Sequence, residues 1–298
     1  MKHTSRLSES GVPLWYGWFE AMHTRIDLLL TGLPEKEAEA AAEEAEKAVR
    51  EMEQRFNRFD RKSDLWRINH LLSKGGEIAV DDALLAVFEE AEHYRQRTLG
   101  WFDVAIRTPG HTRLGETYRV DRLRGMLVPL RKGIVLDFGG YTKGDALRRV
   151  RDMLVAAGVQ HGVISFGKSS VCCMGHHPQG KTWEIGLENP VKPEESLALF
   201  PLRECSLSTS GNNRRNKPGH ILSAADGLPV EVPALISVVA TSPLESEVLS
   251  TALFSALGWI DPAEILKNFH VQRVVEVRYG DETTLVEWSV ARENKLPL

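Results

Sequence analysis

Between residues 162 and 242 strand-like pieces follow one another with no helical stretch between them, and that run limits the folds open to the chain. The pieces are "GVISFG", "SVCCMG", "TWEIGLEN", "ALFPL", "CSLSTSG" and "ALISVVATS". A doubly wound sheet would insert a helix after each strand. Helices inserted this unevenly predict an α+β domain of mixed strands.

The helices lie mostly outside that run. After a strand-like "RIDLLLTG" (25–32), residues 33–59 are rich in helix formers, with Ala42, Ala45, Val49, Met52 and Phe56 at helical spacing. A second helix is predicted over 82–98, ending at Gly100. A polar, arginine-rich connection (107–125) leads to a strand at "GIVLDF" (133–138). A helix from Thr142 to Ala157 follows, stopped by Gly158, with Leu147, Val150, Leu154 and Ala157 on one face. A last helix is predicted over 243–258. The C-terminus reads as a hairpin turning at Tyr279-Gly280-Asp281. Without repeats or a linker, residues 21–298 are expected to form one domain after an N-terminal extension (1–20).

Composition narrows the function. Hydrophobic residues make up 42% and the net charge is −4, so the clustered basic excess of a nucleic-acid or anionic-membrane surface is not expected. No run is long enough to span a bilayer. The first residues lack the apolar stretch of a signal peptide, and the odd cysteine count argues against a disulfide framework. The expectation is a cytoplasmic protein with buried thiols at Cys172, Cys173 and Cys205.

Chemistry concentrates in a few stretches. In "LDFGGYTKGDALRRV" (136–150) a strand, Gly139-Gly140 and Lys143 precede a helix. Thr142 and Asp145 fit a capping box. Two readings stand: a plain strand-to-helix turn, or backbone amides, dipole and Lys143 aimed at a phosphate. Ser242, Pro243 and Glu245 form another capping box. Glu247 and Thr251 lie four apart on one face. Taken alone they read as an exposed glutamate beside a packing threonine, although the same oxygens can ligate a hard cation such as Mg²⁺. In the polar stretch 208–227, Ser210-Gly211 follows a strand and His220 is a candidate general base. Asp103 is a candidate for a hydrogen-bonding role, since a buried carboxylate needs partners. Ser63, Asp64 and Asn69 are candidate caps. His176-His177 reads as a surface loop, and Trp66, Trp101 and Trp183 as packing.

Taken in order, these motifs resemble the ApbE family of flavin transferases, which move FMN from FAD onto a protein threonine. The family's "MGT" is met by Met22-His23-Thr24, its helix-end pattern by "FNRFDRKSDLWRIN", and "FDPT" by Phe102-Asp103-Val104-Ala105. "LDLGGIAKGYA" is met by "LDFGGYTKGDA", and "GGD…W-x-I-G-I-x-x-P" by "GKSSVCCMG…WEIGLENP". "TSGxxxR" is met by "TSGNNRR", "SHIIDPxTG" by "GHILSAADG" and "DALATAL" by "EVLSTAL".

The resemblance implies a T-fold-related ApbE-like fold of mixed sheets with packed helices. It implies FAD as substrate, AMP as leaving group and an acceptor protein carrying the threonine, with no nucleic acid and no membrane insertion. Carried over by position, Met22, Phe59, Asp103, Asp137, Gly139, Gly140, Lys143, Ser210, Gly211 and His220 would line the flavin-dinucleotide site. Mg²⁺ would be held by the Thr142 carbonyl and the side chains of Glu247 and Thr251. Lys143 would supply charge, and His220 would deprotonate the threonine. The chain departs from the pattern at Glu247 (an Asp in the family), Ser223-Ala224 (for "DP") and Lys168 (for the second glycine of "GGD"). The segment between Asp103 and Asp137 is also shorter than usual. Family members are typically exported lipoproteins, and this sequence shows neither signal nor lipid-attachment cysteine. Two further readings stay open: nucleotide binding without transfer, and hydrolysis of FAD to FMN and AMP.

Overall fold

A computed structural model describes residues 1–9, 11–212, 220–280 and 282–288. The chain starts with β1 (Lys2–Leu7), β2 (Pro13–Ala21) and β3 (Thr24–Thr31), then α1 (Glu35–Phe56), α2 (Asp64–Leu72), β4 (Ile78–Ala79) and α3 (Asp82–Arg97). After β5 (Tyr118–Asp121) and β6 (Met126–Pro129) comes α4 (Thr142–Ala156). The strand-rich run forms β7 (His161–Phe166), β8 (Ser170–Met174), β9 (Trp183–Glu188), β10 (Ser196–Leu202), β11 (Cys205–Gly211) and β12 (Ala234–Ala240). The chain continues through α5 (Pro243–Ser255), α6 (Ala263–Leu266), β13 (Arg273–Arg278) and β14 (Thr284–Trp288).

Nine strands form one sheet in the order β1–β2–β3–β7–β8–β11–β12–β13–β14, every neighbouring pair antiparallel. The expected α+β architecture is therefore present. The helices cover one face. Ala38, Ala42, Ala45, Val49 and Met52 of α1, with Leu147, Val150 and Leu154 of α4, pack on Ile26, Leu28, Ile164 and Phe166. Under the other half of that face lie α2, α3 and α5, against Ile236 and Val238 of β12. The β9–β10 pair covers the opposite face, where Trp183 and Phe200 meet Val171, Leu207, Leu235 and Val275. Strand β12 is buried at every position because both its faces are covered. All three cysteines are free and buried, and burial pushes the Cys172 thiol up to about 11.

Register decides which side chains meet the helices. Ser170 of β8 pairs with Ser208 of β11, and Ser208 with Val238 of β12. With a period of two, Ser210 falls on the same face as Ser208. A row of hydroxyls therefore faces α5.

The structure corrects several sequence expectations. Residues 133–138 form no strand, although Ile134, Leu136 and Phe138 are buried. Their backbone amides bond elsewhere: Val135 N to Thr108 Oγ1, Leu136 N to Asn69 Oδ1 and Asp137 N to the Val104 carbonyl. The first long helix stops at Phe56, and α2 follows with Ser63 as its N-cap, accepting from Trp66 N at 2.9 Å. The arginine-rich connection contains β5. Residues 1–20 supply β1 and most of β2, at the sheet's edge. Asp281, at the expected hairpin turn, lies outside the described residues, as do residues 213–219, which include the last three positions of "TSGNNRR". No helix among the described residues is long and apolar enough to cross a membrane.

Candidate active site

The turn before α4 is built by close approach. A Cβ on Gly140 would stand 3.0 Å from Thr251 Cγ2 and 3.1 Å from its Oγ1, so a larger residue would require the Thr251 side chain to give by a few tenths of an ångström. One turn on, a Cβ on Gly144 would come within 2.6 Å of Glu247 Cβ and 2.9 Å of Leu244 Cα. These two glycines let α4 and α5 touch, which brings Lys143 to Glu247.

The expected capping box at Thr142 and Asp145 does not form. Tyr141 is the N-cap and makes no side-chain cap, and Thr142 Oγ1 donates to the Phe138 carbonyl at 2.9 Å. Asp145 is fully buried and taken by Arg148 and Arg149. Arg148 also pairs with Glu90, which accepts from the Tyr141 hydroxyl. The second box is half made: Ser242 accepts from Glu245 N, while the Glu245 carboxylate pairs with Arg97. Pro243 at the first helical position completes that start.

Glu247, expected on an exposed face, is 3% exposed. Helix α5 is covered nearly all round, lying between α4 and the sheet. Its carboxylate is well partnered. Oε2 accepts from Ser170 Oγ and Ser208 Oγ, each at 2.6 Å. Oε1 lies 2.9 Å from Lys143 Nζ. Lys143 also donates to Ser169 Oγ at 3.0 Å and Ser170 Oγ at 3.2 Å. Burial by itself opposes the charge on Glu247. The Lys143 ammonium and the two serine hydroxyls outweigh it and hold the carboxyl below its ordinary range. Hydroxyls carry the network further: Ser208 to Ser250 at 3.2 Å, Ser250 to Ser210 at 2.9 Å, and Ser210 to Thr251 at 3.3 Å.

A second cluster centres on Asp137. Its Oδ1 accepts from Gly139 N at 3.0 Å, and its Oδ2 pairs with Arg107 and, at 3.5 Å, with Arg58. Arg107 Nη2 donates to the His220 carbonyl at 3.0 Å, tying the exposed His220 to the start of α4. Arg58 stacks 4.3 Å from the ring of Phe59, which is 73% exposed and packs on no core.

The remaining expected residues sit around these clusters. Met22 and His23 both have positive φ in the β2–β3 turn, and Met22 N donates to Glu53. That turn abuts the β7–β8 turn, where Gly167 N donates to the Arg25 carbonyl and a Cβ on Gly167 would clash with Thr24. Ser169, in the same β7–β8 turn, carries the contact on to Lys143. Lys168 has φ 68° and reaches Glu188 at 3.0 Å. Gly211 ends β11, where a Cβ would stand 2.3 Å from the Ala234 carbonyl. Asp103 is turned inward: Oδ1 accepts from Ala105 N at 2.7 Å, and Oδ2 lies 2.9 Å from His111 Nε2, both side chains 2% exposed. The expected Lys143, Ser210, Glu247 and Thr251 thus share one network, while Met22 sits in the neighbouring β2–β3 turn and bonds to Glu53. Asp137, Gly139 and His220 form a second cluster held by Arg107, and Asp103 belongs to a separate buried pair.

Sequence reasoning missed Ser170, Ser208, Ser250, Arg107 and His111. The serines carried a signal: Ser208 and Ser210 share a strand face, and Glu247, Ser250 and Thr251 share a helix face.

The ApbE family pattern matches residues 22–272. The chain belongs to the ApbE family. It is 23% identical over 288 residues to a Rhodobacter capsulatus FAD:protein FMN transferase, across 87% of this chain and 54% of the relative. It is 29% identical over 130 residues to the enzyme of that name from Klebsiella pneumoniae (strain 342), across 41% of this chain and 39% of the relative. The chain thus spans about half or less of the length of these ApbE relatives. Among solved structures it superposes on the flavin transferase ApbE from Vibrio cholerae with a TM-score of 0.77 at 17% identity, covering 94% of this chain and 98% of that one. The ApbE protein of Thermotoga maritima gives 0.77 at 19% identity, with 91% and 96% covered. These likenesses establish an ApbE fold.

Proposed function

We propose that the chain is an FAD:protein FMN transferase that binds FAD over the turn opening α4 and passes its FMN half to a threonine of an acceptor protein. Membership of the ApbE family supports the reaction class. The observation that carries the reading is the gathering of cations at that turn, where Lys143 lies on one side and Arg58 and Arg107 flank Asp137 on the other. A diphosphate there gains from helix amides, from the dipole and from fixed positive charge.

In this reading the threonine Oγ attacks the FMN phosphorus, forming a phosphoester. The bond from that phosphorus to the oxygen bridging to AMP breaks, and AMP leaves with that oxygen. His220, held through its carbonyl by Arg107, takes the hydroxyl proton. Lys143 offsets the charge developing on the diphosphate, and Asp137 fixes the Gly139 amide. Met22, Phe59, Gly140, Ser210 and Gly211 would line the nucleotide, while Asp103 is held in its buried pair with His111.

The resemblance also implies Mg²⁺ at the Thr142 carbonyl, Glu247 and Thr251. As arranged, these residues do not fit it: Oε2 of Glu247 takes two serine protons and Oε1 an ammonium. No step is routed through a metal.

Incubation with FAD and a threonine-containing acceptor should yield flavin covalently attached to the acceptor, together with AMP; absence of both across several acceptors removes the transferase reading. A binding-only reading draws on Ser223, whose hydroxyl accepts from Ala225 N within its own turn and which stands where the family has a carboxylate. A chain that quenches flavin fluorescence but transfers nothing until Ser223→Asp is made would favour it.

A further inference from the structure

We infer that Lys143 is the resident cation of Glu247 in this chain, and that Glu247 is a positioning residue for Lys143 instead of a divalent-metal ligand. The inference concerns the site of the proposed transfer and rests on that reading only for its catalytic consequence.

Four observations carry it. The Glu247 carboxylate is 4% exposed and sits among hydroxyls of β8 and β11, beyond the α4–α5 contact. Its extra methylene over the family's aspartate lets it reach that row. Of its acceptor positions, two on Oε2 and one on Oε1 are occupied. Lys143 has three donors and three acceptors within 3.2 Å: Ser169, Ser170 and Glu247. Lys143 therefore has a partner for each of its donors, and Glu247 keeps a single open acceptor position, on Oε1.

A Mg²⁺ bound to Oε1 at about 2.1 Å would stand within about 5 Å of the ammonium. In a site this buried that repulsion is strong. The Thr251 hydroxyl is joined to the Glu247 carboxylate through Ser208, Ser250 and Ser210, with no direct side-chain hydrogen bond between the two among the described residues. Mg²⁺ also demands near-octahedral geometry and gives up water reluctantly. Binding it at Oε1 would set it against the ammonium, and binding it at Oε2 would mean breaking two hydroxyl contacts.

The consequence is a division of labour. Glu247 fixes the height and direction of Lys143 at the first turn of α4, and Lys143 supplies one positive charge where a divalent metal would bring two.

The test is Mg²⁺ titration of the full, FAD-free chain, read by thermal unfolding and calorimetry. It is joined by flavin-fluorescence measurement of FAD affinity in millimolar Mg²⁺ and in EDTA. The expected result is an unchanged unfolding temperature, no binding heat, and the same FAD affinity in both media. Lys143→Met, which leaves the carboxylate without its cation, should gain a saturable Mg²⁺-dependent rise in unfolding temperature. A saturable Mg²⁺ stabilisation of the wild type that disappears in Glu247→Gln would overturn the inference. The FAD-free readouts separate it from the transfer reading: a chain that ignores Mg²⁺ and transfers nothing contradicts only the latter.

Discussion

Arg107 holds His220 by its backbone carbonyl, donating from Nη2 at 3.0 Å while its Nε pairs with the Asp137 carboxylate. One guanidinium thus links the candidate base to the turn that opens α4. Arg107→Ala is expected to lower kcat roughly 10- to 100-fold, the scale of a misplaced catalytic group, and also to weaken FAD binding, because Arg107 is one of the cations proposed to meet the diphosphate. Arg107→Lys should rescue little, because a single ammonium cannot present the two-pronged geometry. Steady-state kinetics alongside flavin quenching checks both effects.

Glu247 makes stability depend on pH in a set direction. Its folded carboxyl titrates below the ordinary value of 4.5. Its contribution is thus fully present above that pH and is lost as pH falls through the folded value. Glu247→Gln should be less stable than the wild type above about pH 5, by about 1–3 kcal/mol given the partial exposure of Lys143. The difference should shrink on acidification. Urea unfolding of both proteins across acidic pH measures it.

Gly144 carries the helix contact that sets the Lys143–Glu247 distance. Gly144→Ala places a methyl 2.6 Å from Glu247 Cβ and 3.0 Å from the Pro243 carbonyl, too close for side-chain adjustment alone. Despite the better helix propensity of alanine, it should destabilise by about 1–3 kcal/mol, the range of overpacked cores. Thermal and denaturant unfolding would show it.

How much of this was open to sequence reading depends on where each signal resides. The start of α5 was legible because Ser242 and Pro243 act locally. The strands β7 to β12 were legible through their apolar runs, and the motif order pointed to ApbE. Residues 133–138 misled because alternating Ile134, Leu136 and Phe138 mark burial without naming a hydrogen-bond partner. Asn69 and Thr108, both distant in sequence, supply two of those partners. Glu247 misled for a related reason. Its surroundings are set by Gly144 on another helix and by serines on two strands, so its burial is a property of assembly.

His111 shows the same dependence. Removing it leaves the Asp103 carboxylate buried with Ala105 N as its remaining partner among these contacts. His111→Ala is expected to cost about 2–3 kcal/mol through an under-satisfied buried acceptor. Double-mutant comparison with Asp103→Asn, read by unfolding, should show strong coupling, since each change removes the same contact.

The most direct test of the account compares AMP released with FMN bound to the acceptor, over time, with and without acceptor protein. Transfer at this site predicts equimolar AMP and acceptor-bound FMN, negligible AMP without acceptor, and loss of both products in His220→Ala. AMP formed equally fast without acceptor, accompanied by free FMN, would contradict it.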